Sequence, residues 1–203
     1  MTPWRKLETD RFWAEAAAAD HVLQFYDHDD MLITTLAGFV GTGLRSEDCI
    51  IVIGTDIHLR MLDQELRAHG IDVPSIINDD KYIPLNAEET LGQFMRSGMP
   101  DKTLFVETIS GIMLRAERKK RRVRAFGEMV AIMWEQSNYT ATIQLEAFWN
   151  EYMTMKEFSL LCAYPRTFFS KDGSSIGHIC NHHSKLLADD CDLKHIVYRD
   201  LCS

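Results

Sequence analysis

Short apolar runs alternate along this chain with stretches whose apolar residues recur every three or four positions. The runs read as strands: 21–26 (His-Val-Leu-Gln-Phe-Tyr), 49–54, 81–85, 122–127 and 159–164 (Ser-Leu-Leu-Cys-Ala-Tyr). The periodic stretches read as helices over 29–43, 56–69, 88–97, 101–120, 128–136, 139–153 and 175–187. In 29–43, Met31, Leu32, Thr35, Leu36 and Phe39 share one face, and Gly41 and Gly43 mark the exit. Asp56 stands where an N-cap belongs, and Gly70 closes that helix. Strands separated by helices of this length need crossover connections. The predicted fold class is therefore α/β: three layers, α/β/α, around a mostly parallel sheet of about five strands. Pro84 cannot donate to a ladder, which puts 81–85 at an edge. Residues 1–20, with a short helix over 8–19, read as a helical extension ahead of one domain spanning 21–203.

Composition narrows the class. Of 203 residues, 46% are apolar and 26% charged, as in ordinary globular proteins, so a full core needs no disulfide or metal staple. A net charge of −8 disfavours non-specific binding to nucleic acid or anionic lipid. The five cysteines are scattered and odd in number, which points to reduced thiols and a cytoplasmic protein. No apolar run approaches the roughly 20 residues that span a bilayer, and no apolar leader opens the chain.

In a parallel sheet, ligands bind outside the carboxyl ends of the strands. That rule gathers Tyr26, Asp27, Thr55, Asp56, Asn86, Glu128 and Tyr164 around one crevice. Glu128 has two readings there, a crevice carboxylate or a first-turn residue satisfying backbone donors. After strand 21–26 a phosphate loop would supply Gly-x-x-x-x-Gly-Lys-Ser/Thr; the chain has Asp27-His28-Asp29-Asp30, whose carboxylates repel a triphosphate. ATP hydrolysis is not expected, and no catalytic residues are assigned.

Cys180-x-x-His183 places a thiol and an imidazole on one helix face. With Cys162 in the last strand, and His21 in the first, they form a candidate set for zinc, iron or haem, and the alternative function is a metal- or haem-linked redox sensor. The basic run 115–124 reads as a solvated helix end, or as a docking patch for an acidic partner.

Several motifs occur in an order that resembles one family. His21-x-x-x-Phe25-Tyr26 comes first, then Arg124-Ala-Phe-Gly-Glu128-Met-Val. Asn138 to Asn150, containing Leu145-Glu146 and Trp149-Asn150, follows, then Ser159 to Pro165 and Ile179-Cys180-x-x-His183. Over about residues 20–187 the chain resembles MEDS, the methanogen/methylotroph sensory domain. The resemblance implies a fold related to RecA/KaiC ATPases without their phosphate loop. It also implies a non-enzymatic input domain that binds a small molecule, such as a hydrocarbon derivative, and regulates a histidine kinase or transcription regulator. The positions carried over are His21, Phe25, Tyr26, Glu128, Cys162, Tyr164, Cys180 and His183, of which His21, Phe25, Tyr26, Glu128 and Tyr164 would bind the ligand. With no output domain in the chain, a signal would pass to another protein or through self-association. His21 opens its strand and so stands about 15 Å from the carboxyl end, which leaves it either structural or part of the crevice. An acid–base pair of His21 and Glu128 would need hydrogen-bond reach.

Overall fold

The fold is seen in a computed structural model that describes Trp13, residues 19–169, Gly177, residues 179–189 and the backbone of 196–200. In chain order the elements are β1 (His21–Tyr26), α1 (Asp29–Arg45), β2 (Cys49–Gly54), α2 (Asp56–Ala68), α3 (Val73–Asn78) and β3 (Tyr82–Asn86). Next come α4 (Ala87–Phe94), a small hairpin of β4 (Met95–Arg96) and β5 (Met99–Pro100), α5 (Lys102–Glu117) and β6 (Val123–Gly127). Then come α6 (Met129–Glu135), α7 (Tyr139–Met155), β7 (Ser159–Pro165), a 3-10 turn (Arg166–Phe169), β8 (Lys185–Asp189) and β9 (Ile196–Asp200), the last of the described elements.

The main sheet has the order β3-β2-β6-β7-β1-β8-β9. Six of its strands run parallel, and β9 pairs antiparallel with β8. It is thus wider than the expected five strands, because the stretch 175–187 does not continue as a helix. Helical backbone reaches Cys180, and Lys185–Asp189 then adds to β1 as a parallel strand. Edge placement of β3 agrees with Pro84. The expected helix over 8–19 lies outside the described residues, except for Trp13, which is buried edge-on against Phe39, and Ala19, which stands in a turn.

Strand alternation divides the interior in two. One face of the sheet packs Val22, Tyr26, Ile50, Val52, Phe126 and Leu161 against α1, α2 and α3. The other packs Leu23, Phe25, Ile51, Ile53, Cys162 and Tyr164 against α4, α5, α6 and α7. The three layers are the expected α/β/α arrangement. Side-chain caps start several helices: Thr55 accepts from the His58 amide at 3.4 Å, Asn86 from Glu89 at 2.8 Å and Asp101 from Leu104 at 3.0 Å. Thr55, one residue before the expected Asp56, is therefore the N-cap of α2.

Two sequence features take on different meanings in three dimensions. Gly43 lies inside α1, which runs on to Arg45; a Cβ there would come within 2.7 Å of Ile50, so the glycine allows close helix–sheet approach. Much of the basic run is paired within the fold. Arg115 bonds Asp80 at 2.7 Å, Arg121 bonds Asp79 at 2.7 Å, and Arg122 and Arg124 both reach Asp48, the latter at 2.6 Å. Among the described residues no helix is long and apolar enough to cross a membrane.

Candidate functional site

The residues singled out in the sequence fall into two groups at opposite ends of the sheet. Tyr26 and Phe25 are consecutive in β1, so their side chains enter opposite faces. Tyr26 joins the α1–α3 side, while Phe25 and Tyr164 are built into the α4–α7 side. The expected single crevice holding Tyr26, Glu128 and Tyr164 is thus divided by the sheet itself.

At the carboxyl end, Glu128 follows β6 and is buried. One carboxylate oxygen accepts the backbone amide of Thr55 at 2.9 Å, so Glu128 holds the start of α2. The other meets His58 Nδ1 at 2.5 Å, and His58 Nε2 lies 3.4 Å from Asp29. Burial works against a charged His58, but the bond to Glu128 and the two carboxylates outweigh it and raise its pKa above 6.5. The Tyr26 ring stands edge-on to His58, and burial, reinforced by Glu128, pushes its hydroxyl pKa up. His58 has no place in the sequence reading; an imidazole in the first turn of a helix that follows a strand end was the available signal.

The second group lies between α7 and the amino-terminal half of β1. His21 Nε2 is 3.4 Å from Cys162 Sγ and 3.6 Å from Glu146 Oε2. His183 Nε2 is 3.7 Å from the same Glu146 oxygen, and Cys162 Sγ is 3.9 Å from it. All four side chains are buried. Their outer atoms are held as well. His21 Nδ1 bonds Asn150 Oδ1 at 2.8 Å, His183 Nδ1 bonds the Ile179 carbonyl at 2.8 Å, and Tyr164 donates to Glu146 Oε1 at 2.5 Å.

Burial sets the electrostatics of this group. It pushes the Glu146 carboxyl up to about 8, against the pull of the Tyr164 and Cys162 hydrogen bonds. It lowers His21 to about 4 despite the Asn150 bond, and holds His183 well below the ordinary histidine range. The Cys162 thiol and Tyr164 hydroxyl are raised by the same desolvation.

Glu146 and Asn150 are four apart on α7 and so share a face. In the sequence both appear only within the motif from Asn138 to Asn150, without a role of their own. A carboxylate set among the buried Ala141, Leu145, Trp149 and Tyr152 was the signal that marked Glu146. Cys180 stands apart from the group: it is partly exposed, and its carbonyl accepts the His183 amide at 3.1 Å.

A pocket of about 380 Å³ opens over this group, walled by His21, Asn150, Met153, Thr154, His182 and His183. A larger hollow of about 520 Å³ lies beside β3 and α2, between Leu59, Arg60, Asp63, Tyr82 and Pro84. Of the residues gathered at the expected crevice, Asp56 alone lines it.

The backbone is similar to that of a solved structure from Pyrococcus horikoshii OT3, with a TM-score of 0.61 over 95% of this chain and 91% of that one. At 11% identity that likeness concerns the fold alone. None of the curated proteins compared matches the chain. The family model described as the MEthanogen/methylotroph, DcmR Sensory domain matches residues 20–184, which contain both groups of side chains. The chain therefore belongs to the MEDS family of sensory domains.

Proposed function

We propose that this chain is an input domain that binds a small molecule in the pocket at the amino end of β1 and regulates a signalling partner without turning the ligand over. The observation that carries the reading is the junction of that 380 Å³ pocket with the buried His21, Glu146, Cys162 and His183. Ligand sites are concave, with a few polar groups that fix orientation. Here Asn150, His182 and Thr154 offer donors and acceptors, and Met153 supplies an adaptable apolar wall. Membership of a sensory family supports the role.

The pocket also touches Asn181 and Ser184, immediately before β8. Ser184 exchanges hydrogen bonds with the backbone of His21, donating its hydroxyl to the carbonyl and accepting from the amide. A ligand that favours one placement of this segment would shift the sheet edge formed by β8 and β9, and a shift requires different affinity for two states. A histidine kinase or a transcription regulator is the class of partner that would read the edge.

The test is native mass spectrometry and thermal shift of the purified chain against a panel of small polar metabolites and hydrocarbon derivatives. Met153→Trp, which fills the pocket, should weaken a bound compound at least tenfold. Leu59→Trp, in the larger hollow, should leave it unchanged; the reverse pattern moves the site away from β1.

A further inference from the structure

We infer that His21, Glu146, Cys162 and His183 together form a binding site for one divalent metal ion of the zinc class. The donor atoms are His21 Nε2, His183 Nε2, one Glu146 oxygen and Cys162 Sγ, all within 4.8 Å of one another. A tetrahedral ion with bonds of about 2.0–2.3 Å has donor–donor edges of roughly 3.3–3.8 Å. Four of the six edges are 3.4, 3.6, 3.7 and 3.9 Å and the other two stay within 4.8 Å, so a modest closing of the side chains brings the set to an ion.

The tautomers agree with this assignment. A backbone carbonyl only accepts, so the Ile179 bond puts the His183 proton on Nδ1 and leaves the Nε2 lone pair facing the group. That Nε2 is buried and has no hydrogen-bond partner among the described residues. Asn150 donates its amide to His182 at 3.1 Å, which turns its oxygen toward His21 Nδ1 and leaves the His21 Nε2 lone pair facing the same point. Tyr164 fixes the remaining Glu146 oxygen. Each ligand except the cysteine thus has its outer atom hydrogen-bonded, the arrangement that orients metal ligands.

Charge and softness select the ion. One thiolate and one carboxylate offset a 2+ charge, so the loaded site is neutral inside an apolar layer. A nitrogen, oxygen and sulfur set suits zinc-class ions rather than magnesium or calcium, which take oxygen. On binding, Cys162 and any protonated carboxyl release their protons to solvent. The pocket over His21 and His183 gives the ion an entry path. An ion here would tie β1, α7, β7 and the segment before β8 together. The inference does not rest on the small-molecule reading, because metal content is measured without any pocket ligand.

The experiment uses the full chain, purified without chelator from zinc-supplemented cells, and the same chain stripped and titrated with Co²⁺. One zinc per chain is expected, with a near-ultraviolet thiolate-to-cobalt band and the intense visible bands of tetrahedral Co²⁺. Cys162→Ser should remove the thiolate band while Cys180→Ser keeps it. Asn150→Ala, outside the ligand set, should lower metal affinity about 10–100-fold and decides the matter should Cys162→Ser fail to fold. A folded wild-type chain with neither zinc nor a tetrahedral cobalt spectrum overturns the site. So does a thiolate band that follows Cys180, or an Asn150→Ala chain with unaltered affinity.

Discussion

The two ends of β1 use similar side chains to opposite effect. At the carboxyl end, His58 and Glu128 form a closed ion pair: both carboxylate oxygens are engaged and Asp29 adds a second negative charge beside the imidazole. At the amino end, His21, His183, Glu146 and Cys162 face one another with burial favouring their neutral forms, and one buried lone pair has no hydrogen-bond partner among the described residues. The first arrangement is complete and holds helix α2 against β6. The second has unused coordination capacity under an open pocket. Residue type alone does not distinguish a structural cluster from a binding one; the fate of each lone pair does.

This contrast is broken most severely at the closed end. Glu128→Leu leaves His58 without its main partner and the Thr55 amide unbonded, and should destabilise the fold by about 3–5 kcal/mol in urea unfolding. If the loss is under about 1 kcal/mol, the pair is not structural. Tyr164→Phe at the open end should cost about 1–3 kcal/mol, because Glu146 then keeps a buried oxygen without a donor. A neutral result would mean that the oxygen finds another partner.

The pH response separates the ends further. With its folded pKa raised, His58 contributes fully below about 6.5, and the contribution is lost as pH rises through the higher folded value. Urea midpoints of the wild type should therefore decline over that alkaline-going window, and His58→Gln should flatten the decline. An NMR titration that puts His58 below 6.5 would contradict the ion pair. The smallest effect is expected for Cys180→Ser, within about 0.5 kcal/mol of wild type, since its side chain is partly exposed and outside both groups.

Much of the fold was legible because its signals are local. Strands 21–26 and 49–54 coincide with β1 and β2, and Pro84 marks an edge strand correctly. The closing strand β8 was not, because Lys-Leu-Leu-Ala-Asp is short and follows a stretch with helical periodicity. Gly43 reads as a helix stop when its cause is contact with Ile50, a residue of the next strand. The site was half legible. His21, Cys162 and His183 stand out in the sequence by residue type, whereas Glu146 and Asn150 occur there only within a family-like motif and meet the others only through the way α7 lies against β1 and β7. The single crevice failed on parity: neighbours on a strand face opposite layers, which separates Tyr26 from Phe25 and from Tyr164.

Backbone hydrogen exchange of the purified chain, with and without a bound compound or ion, tests most directly that the amino end of β1 is the responsive site. The expected result is new protection at His21 to Leu23 and at Ser184 to Leu187, with the start of α2 unchanged. Protection confined to Asp27–Asp30 and Thr55–His58 would contradict it and return the binding site to the carboxyl ends of the strands.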